Sequence, residues 1–281
     1  MKIKKTVRKK HSAKSWIASA AVFIFLVIDL LPLYFVAVNS LKDKEGYLQN
    51  VYNLPSEIHL ENYAKLLSEY DFPQMFLNSL ILTVLTVVIC GYLGTMAAFA
   101  VGKFRFRGRK LVELLILPLM SIPSVVLLIP LFVLFSKIGM TNSFLPTILI
   151  YVGLLMPFTI NMLTSFMSSI SNSLLEAAML DGSGFFKMFN HIVLPLVAPG
   201  LSAASIVNAM WIWNELLIAF VFLQDEGKRT LIIGLTSLQG LFNLDVPLLM
   251  AGAAVTSLPV IILYLLSQKW FIRGLTVGGV K

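Results

Sequence analysis

Charge is scarce in this chain: Asp, Glu, Lys and Arg make up 13 % of 281 residues, about half the usual share. Apolar residues reach 58 %. That leaves too little polar sequence to clothe a soluble domain of this length, so a membrane protein is expected. Cysteine occurs once, as Cys90 inside an apolar run, which excludes a disulfide framework and a cysteine metal site and leaves a small packing residue. His11, His59 and His191 lie on separate polar segments, so no metal is expected. Catalytic signatures are also missing. Gly227-Lys228-Arg229-Thr230 has neither the spacing of a phosphate-binding loop nor a hydroxyl directly after its lysine. H-E-x-x-H and G-x-S-x-G do not occur. No catalytic residue, no cofactor and no enzymatic activity are expected of this chain.

Long apolar runs are present instead, near 16–38, 76–101, 111–136, 144–166, 196–222 and 247–267. Each approaches or exceeds the roughly 20 residues that cross a bilayer core of about 30 Å. Lipid offers the backbone no hydrogen-bond partner, so such spans are helices. The alternating segments of a membrane barrel are absent. The expected fold class is all-α, a polytopic membrane protein of six transmembrane helices. The first run is too long for the apolar region of a signal peptide and no A-x-A site closes it, so it reads as a retained helix. The layout is then a basic tail at 1–15, a membrane domain at 16–268 and a tail at 269–281.

Placing both termini in the cytoplasm puts sixteen of the 22 Lys and Arg on the inner side and six outside, with nine acidic residues in the outer loops. That asymmetry is the positive-inside pattern. Lys4, Lys5, Arg8, Lys9 and Lys10 then lie against anionic lipid heads. Nothing aromatic or groove-shaped accompanies this tail, so no nucleic acid is expected.

With this topology, 167–195 is a cytoplasmic insert before the fifth span. Asn172 or Ser173 can cap a helix beginning near Leu174, with Glu176 in the first turn, where the helix dipole favours negative charge. Ala177 and Ala178 are strong helix formers with small side chains, so a partner surface can approach closely. Asp181-Gly182 and Ser183-Gly184 end the helix, glycine accepting the left-handed cap. Phe185, Phe186, Met188 and Phe189 follow as an apolar turn or two, and Pro195 and Pro199 suit the opening of the fifth span. The plain alternative is an ordinary interfacial hairpin.

Taken together, Glu176-Ala177-Ala178, then Gly182, then Ile192, Leu194 and Pro195 at fixed spacing resemble the EAA loop of ABC importer permeases. The likeness extends to Leu60-Glu61-Asn62-Tyr63, Phe76-Leu77-Asn78-Ser79-Leu80, Trp213-Asn214-Glu215, Thr230-Leu231 and Gln268 to Thr276, which resemble the smaller, maltose-type permease of carbohydrate uptake. The resemblance implies a type I ABC importer permease fold in the bacterial plasma membrane, importing a di- or oligosaccharide. It also implies several partners: a second, related permease, two ATPase subunits that carry the ATP and Mg, and an extracytoplasmic sugar-binding lipoprotein or periplasmic protein. Glu176, Ala177, Ala178, Asp181, Gly182, Ile192, Leu194 and Pro195 would then couple the chain to the ATPases within a loop at 172–195. By the same resemblance, Gln239, Gly240 and Leu241 would reach the binding protein, with an ordinary exposed turn as the alternative. Residues from Gly274 onward would enter the cleft between the ATPases, with simple disorder as the alternative.

Two other readings stay open: import of glycerol phosphate or another non-sugar solute, and a secondary transporter. Against the latter, only Asp29, Glu113 and Glu215 fall within the spans, which is thin for an ion relay. Asn208, Trp211 and Glu215 share one helix face and form a candidate wall of the sugar path, with Asn161 a weaker candidate. Packing of that face against the partner permease is the alternative.

Overall fold

The computed structural model describes residues 13–239 and 244–278, and no strand occurs among them. Helix α1 spans Ala13–Asn39, α2 Lys44–Gln49, α3 Glu61–Ser68, α4 Phe72–Lys103, α5 Arg109–Met120, α6 Ser124–Lys137 and α7 Phe144–Met167. Then come α8 (Asn172–Leu180), α9 (Phe185–Met188), α10 (Leu194–Leu196), α11 (Ala198–Trp213), α12 (Leu217–Phe222), α13 (Leu231–Ser237) and α14 (Val246–Gly278). Four helices are long and apolar enough to cross a membrane, or six if each of two bent pairs counts as one span.

Those bent pairs correct two of the expected runs. The third run is not one rod: α5 and α6 meet at 102°. Pro123 stands at the break, where it lacks an N–H and drives Ile122 out of the helical region. The fifth run is interrupted twice. It bends by 78° at Val197 and stops again at Asn214 before α12 resumes at Leu217. The last helix is longer than its apolar run, its backbone remaining helical to Gly278. Residues 279–281 lie outside the described residues.

The chain divides into two compact units. The first contains Met1–Leu66 and Gln239–Ala254. There the polar stretch after α1 folds back on the helix end. Lys42, almost fully buried, donates to Asn39 Oδ1 at 3.1 Å and to the Asn50 carbonyl at 2.8 Å. Asn62 donates to the Ser40 and Lys42 carbonyls, and the Tyr63 hydroxyl to Ser40 Oγ. The Leu60-Glu61-Asn62-Tyr63 stretch thus satisfies carbonyls of the turn that follows α1.

The second unit, Leu67–Leu238 and Val255–Lys281, is built on α4 packed along α7, with α11 beside both. Small residues make the close approach possible. A Cβ on Gly94 would lie 2.6 Å from Thr159 Cγ2, one on Gly102 2.7 Å from Met167 Cβ, and one on Gly91 3.1 Å from Leu201 Cδ1. With Ala98, fully buried, these residues form a small-residue stripe at three- and four-residue spacing, the pattern by which membrane helices let backbones come together. Cys90 is buried on the same helix, its Sγ 3.3 Å from Thr159 Oγ1, as expected of a packing residue. Replacing Gly94 by Val should push α4 off the stiff, β-branched Thr159 and cost about 1–3 kcal/mol. Thermal unfolding in detergent should show a lowered midpoint. A Gly153→Ala control in α7, where an added Cβ meets nothing within 4 Å, should not lower it, alanine being the better helix former.

Candidate functional site: the 172–195 segment and the interrupted fifth span

The segment at 172–195 is rigid on one side and open on the other. Helix α8 begins at Asn172, with Ser171 at its N-cap and no side-chain cap bond. The expected caps are otherwise engaged. Ser173 shares a hydroxyl contact with Ser171, and Asn172 Oδ1 accepts from Lys103 Nζ at 3.0 Å. Because the helix starts two residues earlier than expected, Glu176 falls in its second turn, not its first. The C-terminus follows the sequence reading closely. Gly182 has φ +75°. Its N–H donates to the Met179 carbonyl at 3.0 Å and that of Ser183 to the Ala178 carbonyl at 2.9 Å. These are the paired bonds of a Schellman cap. A Cβ on Gly182 would meet nothing within 4 Å, so glycine is needed there for its backbone angle and not for space.

The two faces of α8 differ in kind. Leu175 and Ala178, three apart, are both buried, Leu175 in one cluster with Phe99, Leu163, Met167, Phe189 and Val193. Glu176, Ala177, Met179, Leu180 and Asp181 are exposed, Leu180 at 89 %. Phe186 beyond the turn is exposed as well. The E-A-A triplet is therefore split, with its first two side chains outward and Ala178 inward. Aromatic rings lock the inner side: Phe185 lies 5.3 Å from Phe99 and 6.4 Å from Phe189, stacked on both. Phe189–Val193 is wound as a π-helix, the Leu194 N–H reaching back to the Phe189 carbonyl. This wide turn comes just before Pro195, which has no N–H to give. Phe189, Val193 and Val197 all end fully buried, while Ile192 and Leu194 are half-buried and Pro195 is exposed.

Lys103 is a functional candidate that the sequence reading counted only as an inner charge. It is the last residue of α4, and its ammonium donates to the Ile170 carbonyl and to Asn172. One side chain thus ties the end of α4 to the turn after α7 and to the start of α8. A lysine closing a long apolar helix was the available signal; its partner lies 69 residues away.

On the fifth span the shared face of Asn208, Trp211 and Glu215 is real, but it packs against α7 of the same chain. Asn208, 1 % exposed, donates to Thr159 Oγ1 at 2.9 Å, and Trp211 meets Tyr151 edge-on at 5.7 Å. Glu215 caps a helix. Its carboxylate accepts the N–H groups of Ile218 and Ala219 at 2.9–3.1 Å and the Tyr151 hydroxyl at 2.7 Å. Packing is thus the outcome for Asn208, though against α7 and not a partner chain. Trp211 and Glu215 keep partial exposure, and Asn161 is exposed. Two of the family-like stretches also meet: Asn78 donates to the Gly227 and Arg229 carbonyls, and Ser79 Oγ accepts from the Leu231 N–H. Gln239 is exposed; Gly240 and Leu241 lie outside the described residues, as do Phe242 and Asn243.

Residues 91–277 match the family described as "Binding-protein-dependent transport system inner membrane component". A probable ABC transporter permease of Bacillus subtilis is 34 % identical over 279 residues, covering 98 % of this chain and 93 % of the relative. The trehalose/maltose transport system permease of Thermococcus litoralis is 30 % identical, covering 92 % of this chain and 94 % of its own. Among solved structures, a chain of a bacterial ABC transporter that imports alginate superposes with a TM-score of 0.83 at 23 % identity, over 95 % of this chain and 99 % of that one. That last likeness bears on fold.

Removing the Glu215 carboxylate strips the cap from α12 and leaves the Tyr151 hydroxyl without its acceptor. Glu215→Ala should lower stability by about 1–3 kcal/mol, and Glu215→Gln, which keeps one acceptor oxygen, by less. Unfolding midpoints of the purified variants in detergent should fall in that order.

Proposed function

The chain belongs to the family of binding-protein-dependent transport system inner membrane components, and from that membership we propose that it is the smaller, six-span permease of an ATP-driven carbohydrate importer. In this reading the bent pair α5 and α6 is one span, α11 with α12 is the fifth, and both termini face the cytoplasm of a bacterial plasma membrane. A second, related permease completes the pore, two ATPase chains supply ATP hydrolysis, and an extracytoplasmic binding protein delivers a di- or oligosaccharide. Sugar is favoured by the trehalose/maltose permease among the relatives. The charge asymmetry between loops favours the orientation.

The observation that carries the coupling role is the two-faced α8. One side is held by Leu175 in the aromatic cluster, with Ala178 also buried, and the other presents Met179 and Leu180 to the outside around Glu176. Exposed apolar side chains on a polar connection mark a partner surface. A helix anchored in the core on its far side can pass that partner's displacement to α4 and α7. Gly182 sets the turn, Asp181 closes the helix, and Ile192, Leu194 and Pro195 join the segment to α11. Contact with the passing sugar is assigned to Asn161 and to the exposed edges of Trp211 and Glu215. Asn208 is left to packing. Gln239, Gly240 and Leu241 are assigned to the binding-protein side, and the chain from Gly274 onward to the ATPase side.

The test is uptake by proteoliposomes holding both permeases and the ATPases, supplied with the loaded binding protein. A Glu176→Lys, Gly182→Asp pair should abolish uptake and release the ATPases while both permeases remain inserted; normal uptake would sink the coupling assignment. Lys103→Met should speed backbone amide exchange across 170–183 and cut transport per ATP hydrolysed several-fold, whereas Lys103→Arg, which keeps the donor, should stay near wild type.

A further inference from the structure

Between the end of α4 and the first turn of α5 the chain turns at Gly108, where φ is +94°. Within eight positions it carries Lys103, Arg105, Arg107, Arg109 and Lys110. Two of these are committed. Lys103 holds the 170–172 turn, and Arg109 is paired with Glu113 at 2.8 Å and bonded to the Phe104 carbonyl. Arg105, Arg107 and Lys110 are exposed, and among the described residues no carboxylate forms an ion pair with them. Arg105, Phe106, Arg109, Lys110 and Glu113, with Gly108, line an open cavity of about 520 Å³. With Glu113 answered by Arg109, the cavity keeps an unbalanced positive charge.

The helix that leads away from the cavity exposes apolar side chains along its length. Leu111, Leu114 and Leu115 follow at three- and four-residue spacing along α5 and are 58 %, 71 % and 46 % exposed, so they form one stripe that starts at the cavity mouth. A small inorganic anion would use the charges and leave the stripe uncovered, and so would an acidic protein surface. A ligand that joins a phosphate to long hydrocarbon chains satisfies both. The cavity also sits where an apolar helix meets its first charges, the level at which lipid head groups lie.

We propose that the cavity at 105–113 binds the head group of an anionic phospholipid, its phosphate on Arg105 and Lys110 and its acyl chains along Leu111, Leu114 and Leu115. The site is separate from α8 and its role does not depend on which solute is carried.

The test uses the assembled transporter in detergent, titrated with phosphatidylglycerol or phosphatidylcholine and read by native mass spectrometry of the retained lipid. Wild type should keep phosphatidylglycerol in preference to phosphatidylcholine. An Arg105→Gln, Lys110→Gln pair should weaken that retention on the order of tenfold, given the attraction that each basic residue adds near an anionic surface. The charge-keeping pair Arg105→Lys, Lys110→Arg should retain it, as should Lys137→Gln, at the far end of α6. If the double glutamine chain does not assemble, each single glutamine variant should show a partial loss. Unchanged retention in the glutamine variants would overturn the proposal. Competition by millimolar inorganic phosphate alone would identify a free-anion site instead. Loss of the ATPase subunits with lipid preference intact would assign the face to a protein partner.

Discussion

Close approach of α4 to α7 is the constraint on which the second unit depends. Gly94 and Gly102 leave no room for a Cβ against Thr159 and Met167 of α7, so the backbones come nearer than larger residues permit. In a bilayer apolar burial gives helices little reason to associate, because lipid tails are as apolar as leucine. Dispersion contacts and interhelical hydrogen bonds have to do it. The bonds appear where the approach is tightest: Thr159 opposes Gly94, takes the amide of Asn208 from α11 and contacts Cys90. Moving α4 outward would strip Thr159 of its contacts with Gly94 and Cys90 together.

Rigidity in the helix crossing gives the polar segment at 172–195 something to act on. Phe99 belongs to α4 and Leu163 and Met167 to α7, and the same cluster takes in Leu175, Phe189 and Val193. A push on α8 therefore meets packed side chains on both long helices. Lys103 adds a directional bond at the one place where α4, the end of α7 and the start of α8 come together. The outward side of α8, with Leu180 almost bare, has no comparable support among the described residues.

Charges near the apolar helices are handled by helix ends. Glu215 sits where the fifth span stops and restarts, and the free N–H groups of α12 satisfy its carboxylate. Lys103 does the converse at a carbonyl. Both groups lie at a break and not in mid-helix, because only there does the backbone have unspent hydrogen-bonding capacity to offer an ion.

Much of this was legible in sequence. Apolar runs at least 20 residues long require helices in lipid whatever their neighbours, and Gly182 after a helical stretch specifies its cap through backbone angle alone. The E-A-A, glycine and I-x-L-P spacing carried the family, because it records a surface that a partner must fit. Other features depended on distant partners. Asn172 was read as a cap because capping is local, yet Lys103 takes its side chain. The face of Asn208, Trp211 and Glu215 was correctly aligned by helical periodicity, but periodicity does not say what lies opposite. Tyr151 and Thr159 of α7 decided that. The sharp bend at Pro123 was hidden for a related reason: a proline licenses a break in a hydrophobic run, and only packing around it sets whether the helix kinks gently or turns by 102°. The sequence by itself therefore determined composition, helicity, the glycine cap of α8 and membership of a family. Tertiary structure alone decided which polar groups meet, because those meetings join residues dozens of positions apart whose positions are set by how closely the helices pack.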